Sequence, residues 1–477
     1  WTYNGFDACG TREILSTLSP ELDPLTSGRV YNFERALIPV ALTMARRGFR
    51  VDRDRKEQLY AQYSAVQLGL CGLGSNKRGE TVVIDDSAPL QRLAQAALGK
   101  TLNYRSDPQL KEAFYDILKC PPQYQHKGGK HTITTNREAL ERLSEEYPRA
   151  TPLCEIILAL RDLDKDLDVL GGRLDPQGRM HYSFNVAGTE TGRWSSKKHM
   201  IWQGGQFQNI TPDLRCIFIP DPDYVLLYPD LEQAESRGEA YLSGDEAYIA
   251  ACNSSDLHTA VAKMVWPHLA WTGSPKEDRK IAEQIFYRIF SYRDMSKKGG
   301  HGTNYYGTPR TMAGHLKVEE KVMHRFQCVY YGGELELSSI NRWGYQELLT
   351  LPGVKALGNV VSIPGAFPGI RTWHDETIST LQEKEVLVTP TVRIRKFWGR
   401  TTDAKTWREA IAHVPQSLIG DILNTGMWHV WDRYDPKEVQ LLGQLHDAFV
   451  AQVHKRDLER MVPKILECME IPVEVRG

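Results

Sequence analysis

Apolar residues recur at helical spacing through residues 33–49, with Leu37, Val40, Ala41 and Met44 on one face. The run closes on Arg46-Arg47-Gly48, which predicts an amphipathic helix. Helical periodicity dominates residues 54–170 and breaks at Lys127-Gly128-Gly129-Lys130, where it predicts a flexible basic loop. Tyr224 to Leu227 is a short, continuous apolar run, which predicts a buried strand closed by Pro229 and followed by Asp230. From Glu232 the pattern turns helical, with Ala234, Gly238 and Leu242 on one face, and Ser243-Gly244 stops it. Residues 367–400 read as a helix and then as alternation at Val386, Val388, Val392 and Ile394, a hairpin that ends in the basic stretch RIRKFWGR. Residues 439–453 form two apolar runs around His446-Asp447, the pattern of a hairpin with a polar dipeptide at its turn.

That turn forgoes Gly, Asn and Pro, the residues that make tight turns cheaply, so its side chains point to a task. Asp230 stands where a strand gives way to a helix, which suits either a helix cap or a metal-holding carboxylate. Two carboxylates from separate strands can bracket two divalent cations about 4 Å apart in a phosphoryl transfer.

The 477 residues are enough for one multi-lobed enzyme or two to three domains, and 41% are apolar, a normal share for a substantial core. No apolar run approaches the ~20 residues of a membrane span. Eight scattered cysteines without paired CxxC spacing argue against a zinc site or a disulfide framework and fit a reducing compartment. A net charge of −1 means that any phosphate binding must come from local clusters. One such cluster is Arg193, Lys197, Lys198 and His199 among hydroxyl residues, which suits phosphate contacts or a solvated face. The chain starts at Trp1 instead of Met, as expected of a fragment or processed product.

In SYRDMSKKGGHGTNYYG, residues 291–307, Arg293, Lys297, His301 and Tyr305 step by four along one helical face. Like charges at that spacing cost roughly 0.2–0.5 kcal/mol per pair. Gly299, Gly300 and Gly302 cost about 1 kcal/mol each relative to alanine. A purely structural helix has little reason to carry that penalty. A bound triphosphate offsets the repulsion, and the glycines let another surface approach.

Asp230, Gln233, Glu235 and Arg237, together with Gln444, His446 and Asp447, resemble the two metal-binding motifs of the family A DNA polymerases, the DNA polymerase I class. The resemblance covers nearly everything after residue 28 and implies an α+β right-hand fold. It places an antiparallel palm at 181–245 and 401–477, helical fingers at 246–400 and a helical thumb at 29–180. Residues 1–28, with Tyr3 and Asp7, are similar to the end of an exonuclease-like domain, and no proofreading is expected. The resemblance implies template-directed addition of deoxynucleotides to a primer 3′-hydroxyl, with pyrophosphate release. Two Mg²⁺ ions, with Mn²⁺ as a substitute, would be held by Asp230, Asp447 and the Leu231 carbonyl. Arg293, Lys297, His301, Tyr305, His258, Glu235 and Gln233 would surround the nucleotide, with Glu235 blocking a ribose 2′-hydroxyl. Arg193, Asn209, Gln416 and His446 would touch DNA. Tyr306 and Ala448 depart from the family pattern, which has glycine and glutamate there.

The implied partners are primer–template DNA and dNTPs, with replication accessory proteins beside a monomeric chain and no membrane. The motif style is phage-like, which implies the cytoplasm of a bacterial host, with an organelle as the alternative. Reverse transcription stays open, as does a non-enzymatic DNA-binding role. A single-subunit RNA polymerase shares the palm logic, but Glu235 argues against it.

Overall fold

A computed structural model of the chain describes residues 2–75, 79–127, 130–202, 206–343 and 346–475. It divides into two compact units that are interleaved along the sequence, one formed by residues 43–184 and 196–226, the other by 1–42, 185–195 and 227–477.

The smaller unit is helical, built on Arg53–Cys71, Pro89–Leu98, Arg137–Glu146 and Thr151–Leu170 around a core that includes Leu90, Tyr104, Phe114, Leu140, Leu153 and Ile157. Two hairpins, which helical periodicity did not announce, interrupt it: Leu73–Ser75 with Thr81–Val83, and Tyr124–Lys127 with Lys130–Ile133. The second hairpin carries the predicted basic loop, whose glycines 128 and 129 lie outside the described residues. A second apolar centre stacks Phe49 on Phe207 at 4.5 Å, with Tyr182 and Phe218 edge-on.

In the larger unit the helices Tyr292–Asn304, Glu320–Tyr331 and Pro368–Lys384 pack around Met295, Phe326, Tyr330 and Phe367. The 30-residue helix Ala404–Arg433 packs against the helix Ala234–Ser243 and the hairpin Val439–Leu445/Ala448–His454. Leu37, Val40, Ala41 and Met44 are all buried on the helix Ser27–Arg47, as their spacing predicts. The strand Tyr224–Leu227 forms, but it is half-buried along its length instead of fully buried. Val386–Val388 pairs with Ile394–Lys396 as expected, yet the alternation is inverted. Leu387 and Phe397 are buried while Val388 and Ile394 face outward, and Val392 takes up the turn with φ +62°. Among the described residues no helix is long and apolar enough to cross a membrane.

Candidate active site

The two motif aspartates meet through backbone. The apolar strands Val439–Leu445 and Ala448–His454 are buried almost throughout and pair antiparallel, so Leu445 faces Ala448 across a two-residue turn. His446 takes φ +47° there, a left-handed conformation that costs a non-glycine residue energy. The Gln444 amide nitrogen donates to the His446 carbonyl at 3.1 Å and braces the turn from beneath. The segment after Tyr224–Leu227 runs beside this hairpin: Phe449 N donates to Pro229 O at 3.2 Å, Asp230 bridges Ala448, and Leu231 N donates to Asp447 O at 3.1 Å. Asp230 and Asp447 thus arise from adjoining backbone.

Burial, and then the charge of Asp447, raises the Asp230 carboxyl above its ordinary value. Among the described residues neither carboxylate meets a Lys or Arg side chain, and no third His, Cys, Asp or Glu completes a metal cluster. Two like charges held together without a cation of their own fit a divalent ion, whose remaining ligands would come from backbone and substrate oxygens. The Leu231 carbonyl already accepts Ala234 N at 3.2 Å and keeps one lone pair for such a role. The chain turns at Gln233, φ +53°, so the helix begins at Ala234, two residues later than the periodicity predicts. Ala234, Gly238 and Leu242 are its buried face. A recess of about 750 Å³ opens beside Asp230, lined by Arg237, Tyr241, Ile419 and Met469.

In the first turn of that helix the Glu235 carboxylate gathers three partners. Arg193 Nη2 pairs with its Oε1, Tyr305 Oη donates to its Oε2 at 2.7 Å, and His301 Nδ1 lies 4.0 Å from Oε2. Burial pushes the Glu235 pKa up, but the bonds from Arg193 and Tyr305 and the nearby positive charge outweigh it and hold the group below its ordinary value. Three residues predicted from two other motifs therefore converge on the Glu235 carboxylate.

The helix Tyr292–Asn304 starts with a capping box between Ser291 and Asp294. Arg293 grips Asp256 with two bonds, Nε to Oδ2 at 3.0 Å and Nη2 to Oδ1 at 3.1 Å. Asp256 also caps the helix Leu257–Val265, so one carboxylate ties the two helix starts together. Lys297 is exposed one turn on, while Lys298 lies over the Phe290 ring at 5.0 Å. His258 is depressed to about 4 by burial and by Arg293, so its imidazole is neutral at neutral pH. The glycines admit a surface from within the fold: a Cβ on Gly299 would meet Phe326 at 3.0 Å, and one on Gly300 would meet Tyr330 at 3.4 Å. Tyr305 lies just past the helix end, and Tyr306 adopts φ +60°, the conformation in which glycine is cheapest. Contacts with the His374 and Trp407 rings hold it there.

Gln416 is half-buried on the helix Ala404–Arg433, after the internal Pro415, and His446 is exposed at the hairpin turn. Asn209 belongs to the smaller unit, where it is exposed and donates to Gln206 at 2.5 Å. In the same unit Lys198 pairs with Asp168, and His199 accepts the Trp202 amide at 3.2 Å. The basic cluster is therefore partly committed inside the fold. The Asp256–Arg293 pair and the buried Glu239 and Asn304 went unforeseen. Glu239 had one signal, a like-charged Glu235 four residues earlier on a helix.

Residues 78–299 match the model of DNA polymerase family A. DNA polymerase I of Chloroflexus aurantiacus is 24% identical over 477 residues, covering 96% of this chain and 43% of that protein. Over residues 78–299 the chain is similar to the family A DNA polymerases. DNA polymerase I of Synechocystis sp. is likewise 24% identical, over 98% of the chain and 43% of the relative. The thermostable DNA polymerase I of Thermus aquaticus is 25% identical, over 82% and 43%. The chain thus spans about 43% of the length of these proteins. Its fold is similar to the POL domain of Pol1 from M. smegmatis, solved with DNA primer-template and dNTP, at a TM-score of 0.62 and 21% identity over 92% of this chain and 67% of that one.

Proposed function

We propose that the chain is a DNA-directed DNA polymerase that extends a primer 3′-hydroxyl with deoxynucleotides. The observation that carries this reading is the pairing of Asp230 with Ala448 and of Leu231 with Asp447, which brings two carboxylates near enough for the charge of one to act on the other, with no basic partner among the described residues. Asp230, Asp447 and the Leu231 carbonyl would hold two Mg²⁺ ions, with Mn²⁺ as a substitute. Bound there, the ions would lower the pKa of the primer hydroxyl and neutralise charge on the triphosphate and its leaving pyrophosphate.

The chain's own residues do the rest. Lys297 presents an exposed ammonium to the triphosphate, and Arg293 joins it by sharing or releasing Asp256. His258, neutral, donates a hydrogen bond to a phosphate oxygen without adding charge. His301 and Tyr305 flank the nucleotide, and Gln233 completes that wall. Glu235, fixed by Arg193 and Tyr305, stands where a ribose 2′-hydroxyl would intrude. Gln416, His446, Arg193 and Asn209 contact the primer–template. In this assignment residues 29–180 are thumb, 246–400 fingers, and 181–245 with 401–477 palm. A monomeric, phage-type enzyme acting in a bacterial cytoplasm is the biological setting that the motif style supports.

The test is extension of a labelled DNA primer with dNTPs and Mg²⁺ by the parent chain and by Asp447→Asn. Extension by the parent and a loss of at least about a hundredfold in the variant is expected, since one ligand of both ions is neutralised. Binding without extension by either protein overturns the reading.

A further inference from the structure

One turn beyond Glu235, a second carboxyl points inward. Glu239 is 1% exposed, and the helix Tyr292–Asn304 reaches it with its last residue, Asn304, which is itself fully buried. The Asn304 amide spends all its hydrogens and one oxygen lone pair in the core. Nδ2 donates to Glu239 Oε2 at 2.6 Å and to Tyr248 Oη at 2.9 Å, while Oδ1 accepts from Tyr330 Oη at 3.0 Å. The backbone is tied as well, since His374 Nε2 lies 2.7 Å from the Asn304 carbonyl and Gln327 Nε2 donates to the Gly307 carbonyl at 2.6 Å.

Such a network fixes the end of a helix to a degree that apolar packing does not, because each donor and acceptor has one direction and an orphaned member is costly. Glu239 enters this network as an acceptor, through one carboxyl oxygen. Its Oε1 has no partner, one N–H is its single donor, and no cation reaches it among the described residues, so burial drives its pKa far up. Its helix also carries Glu235, and the residue after Asn304 is Tyr305. The two contacts Glu235–Tyr305 and Glu239–Asn304 therefore run in parallel between the same two helices, one facing the candidate site and one in the core.

We propose that Glu239 is a positioning residue, which through Asn304 sets the place of Tyr305 against Glu235 and so the shape of the sugar pocket. This rests on the polymerase reading for its kinetic consequence, but not for its structural one.

The test compares the parent with Glu239→Gln and Glu239→Leu, each shown to be folded by circular dichroism. Single-nucleotide insertion gives KM and kcat for a dNTP and the preference over the matching rNTP. Backbone amide exchange at residues 304–306 is measured on the same proteins without substrate. Glutamine, neutral and of the same shape, should keep KM and exchange within about twofold of the parent. Leucine, which strands the Asn304 amide, should raise KM about tenfold with kcat within about threefold, lower the sugar preference and speed exchange at 304–306. A folded leucine variant with parental KM, sugar preference and exchange overturns the proposal, and so does a glutamine variant as impaired as leucine. If leucine alone prevents folding, the double variant Glu239→Leu, Asn304→Leu pairs two apolar side chains and carries the same comparison. If no protein extends a primer, the polymerase reading fails, while the exchange comparison still decides the positioning role.

Discussion

The Tyr305 hydroxyl donates to the Glu235 carboxylate at 2.7 Å, and Arg193 holds the other oxygen of the same group. A side chain clamped from both sides is held in place, so under the proposed function Glu235 would act as a rigid wall. Glu235→Ala should lower the preference for dNTP over rNTP by at least about tenfold, the scale on which one removed contact discriminates. Tyr305→Phe, which keeps the ring and loosens the wall, should fall between that variant and the parent. Steady-state kcat/KM for each sugar checks both, and an unchanged preference in the alanine variant sinks the assignment.

Arg193 sets the acid limb of stability. The Glu235 pKa lies below its ordinary value of 4.5, so the stabilisation that the group carries is complete above that value and fades as pH falls through the folded pKa. Arg193→Ala removes the opposing charge and leaves burial to push the pKa up. Thermal unfolding followed from about pH 7 to about pH 3 should show the variant less stable than the parent at pH 7 and losing less of its stability as pH falls through the carboxylate range. Superimposable profiles would count against the coupling.

The charges of Asp230 and Asp447, which meet no Lys or Arg side chain among the described residues, make a second prediction, independent of turnover. A cation that binds only the folded chain stabilises it by mass action. Saturating Mg²⁺ should raise the melting temperature of the parent by about 2 °C or more and leave Asp447→Asn nearly unmoved. Equal shifts in both proteins would mean that the ion binds elsewhere.

Gly299 and Gly300 are neighbours with opposite expectations. Alanine at 299 drives a methyl to 3.0 Å from Phe326 and 3.2 Å from the Met295 sulfur, and should destabilise by about 1–3 kcal/mol. Alanine at 300 meets Tyr330 at an ordinary 3.4 Å and gains helix propensity, so it should be neutral or stabilising by up to about 1 kcal/mol. Denaturant midpoints of the two single variants decide the matter.

Period and punctuation made much of this legible in the sequence. The residue spacing of Leu37, Val40 and Met44, and the two apolar runs around His446-Asp447, give the helix and the hairpin directly, because burial on one face forces the pattern. The alternation at Val386–Ile394 misled, since in a short hairpin the buried face is fixed by what packs on it, here Leu387 and Phe397. Arg293 and Arg193 were readable as cations but not as members of ion pairs, because Asp256 and Glu235 lie 37 and 42 residues away in the chain. The penalty read into the glycines is real, but it is offset by the close fit to Phe326 and Tyr330, a contact that no local pattern encodes.

The two-residue turn at His446-Asp447 makes the separation between Leu445 and Ala448 a quantity in its own right. Strand side chains alternate faces with a period of two, so one inserted or deleted residue there turns the following strand inside out and swings the carboxylate away from Asp230. Side chains around this corner can drift one at a time, each at a modest cost. The number of residues that make the corner cannot, and change at this point of the chain is confined to substitution.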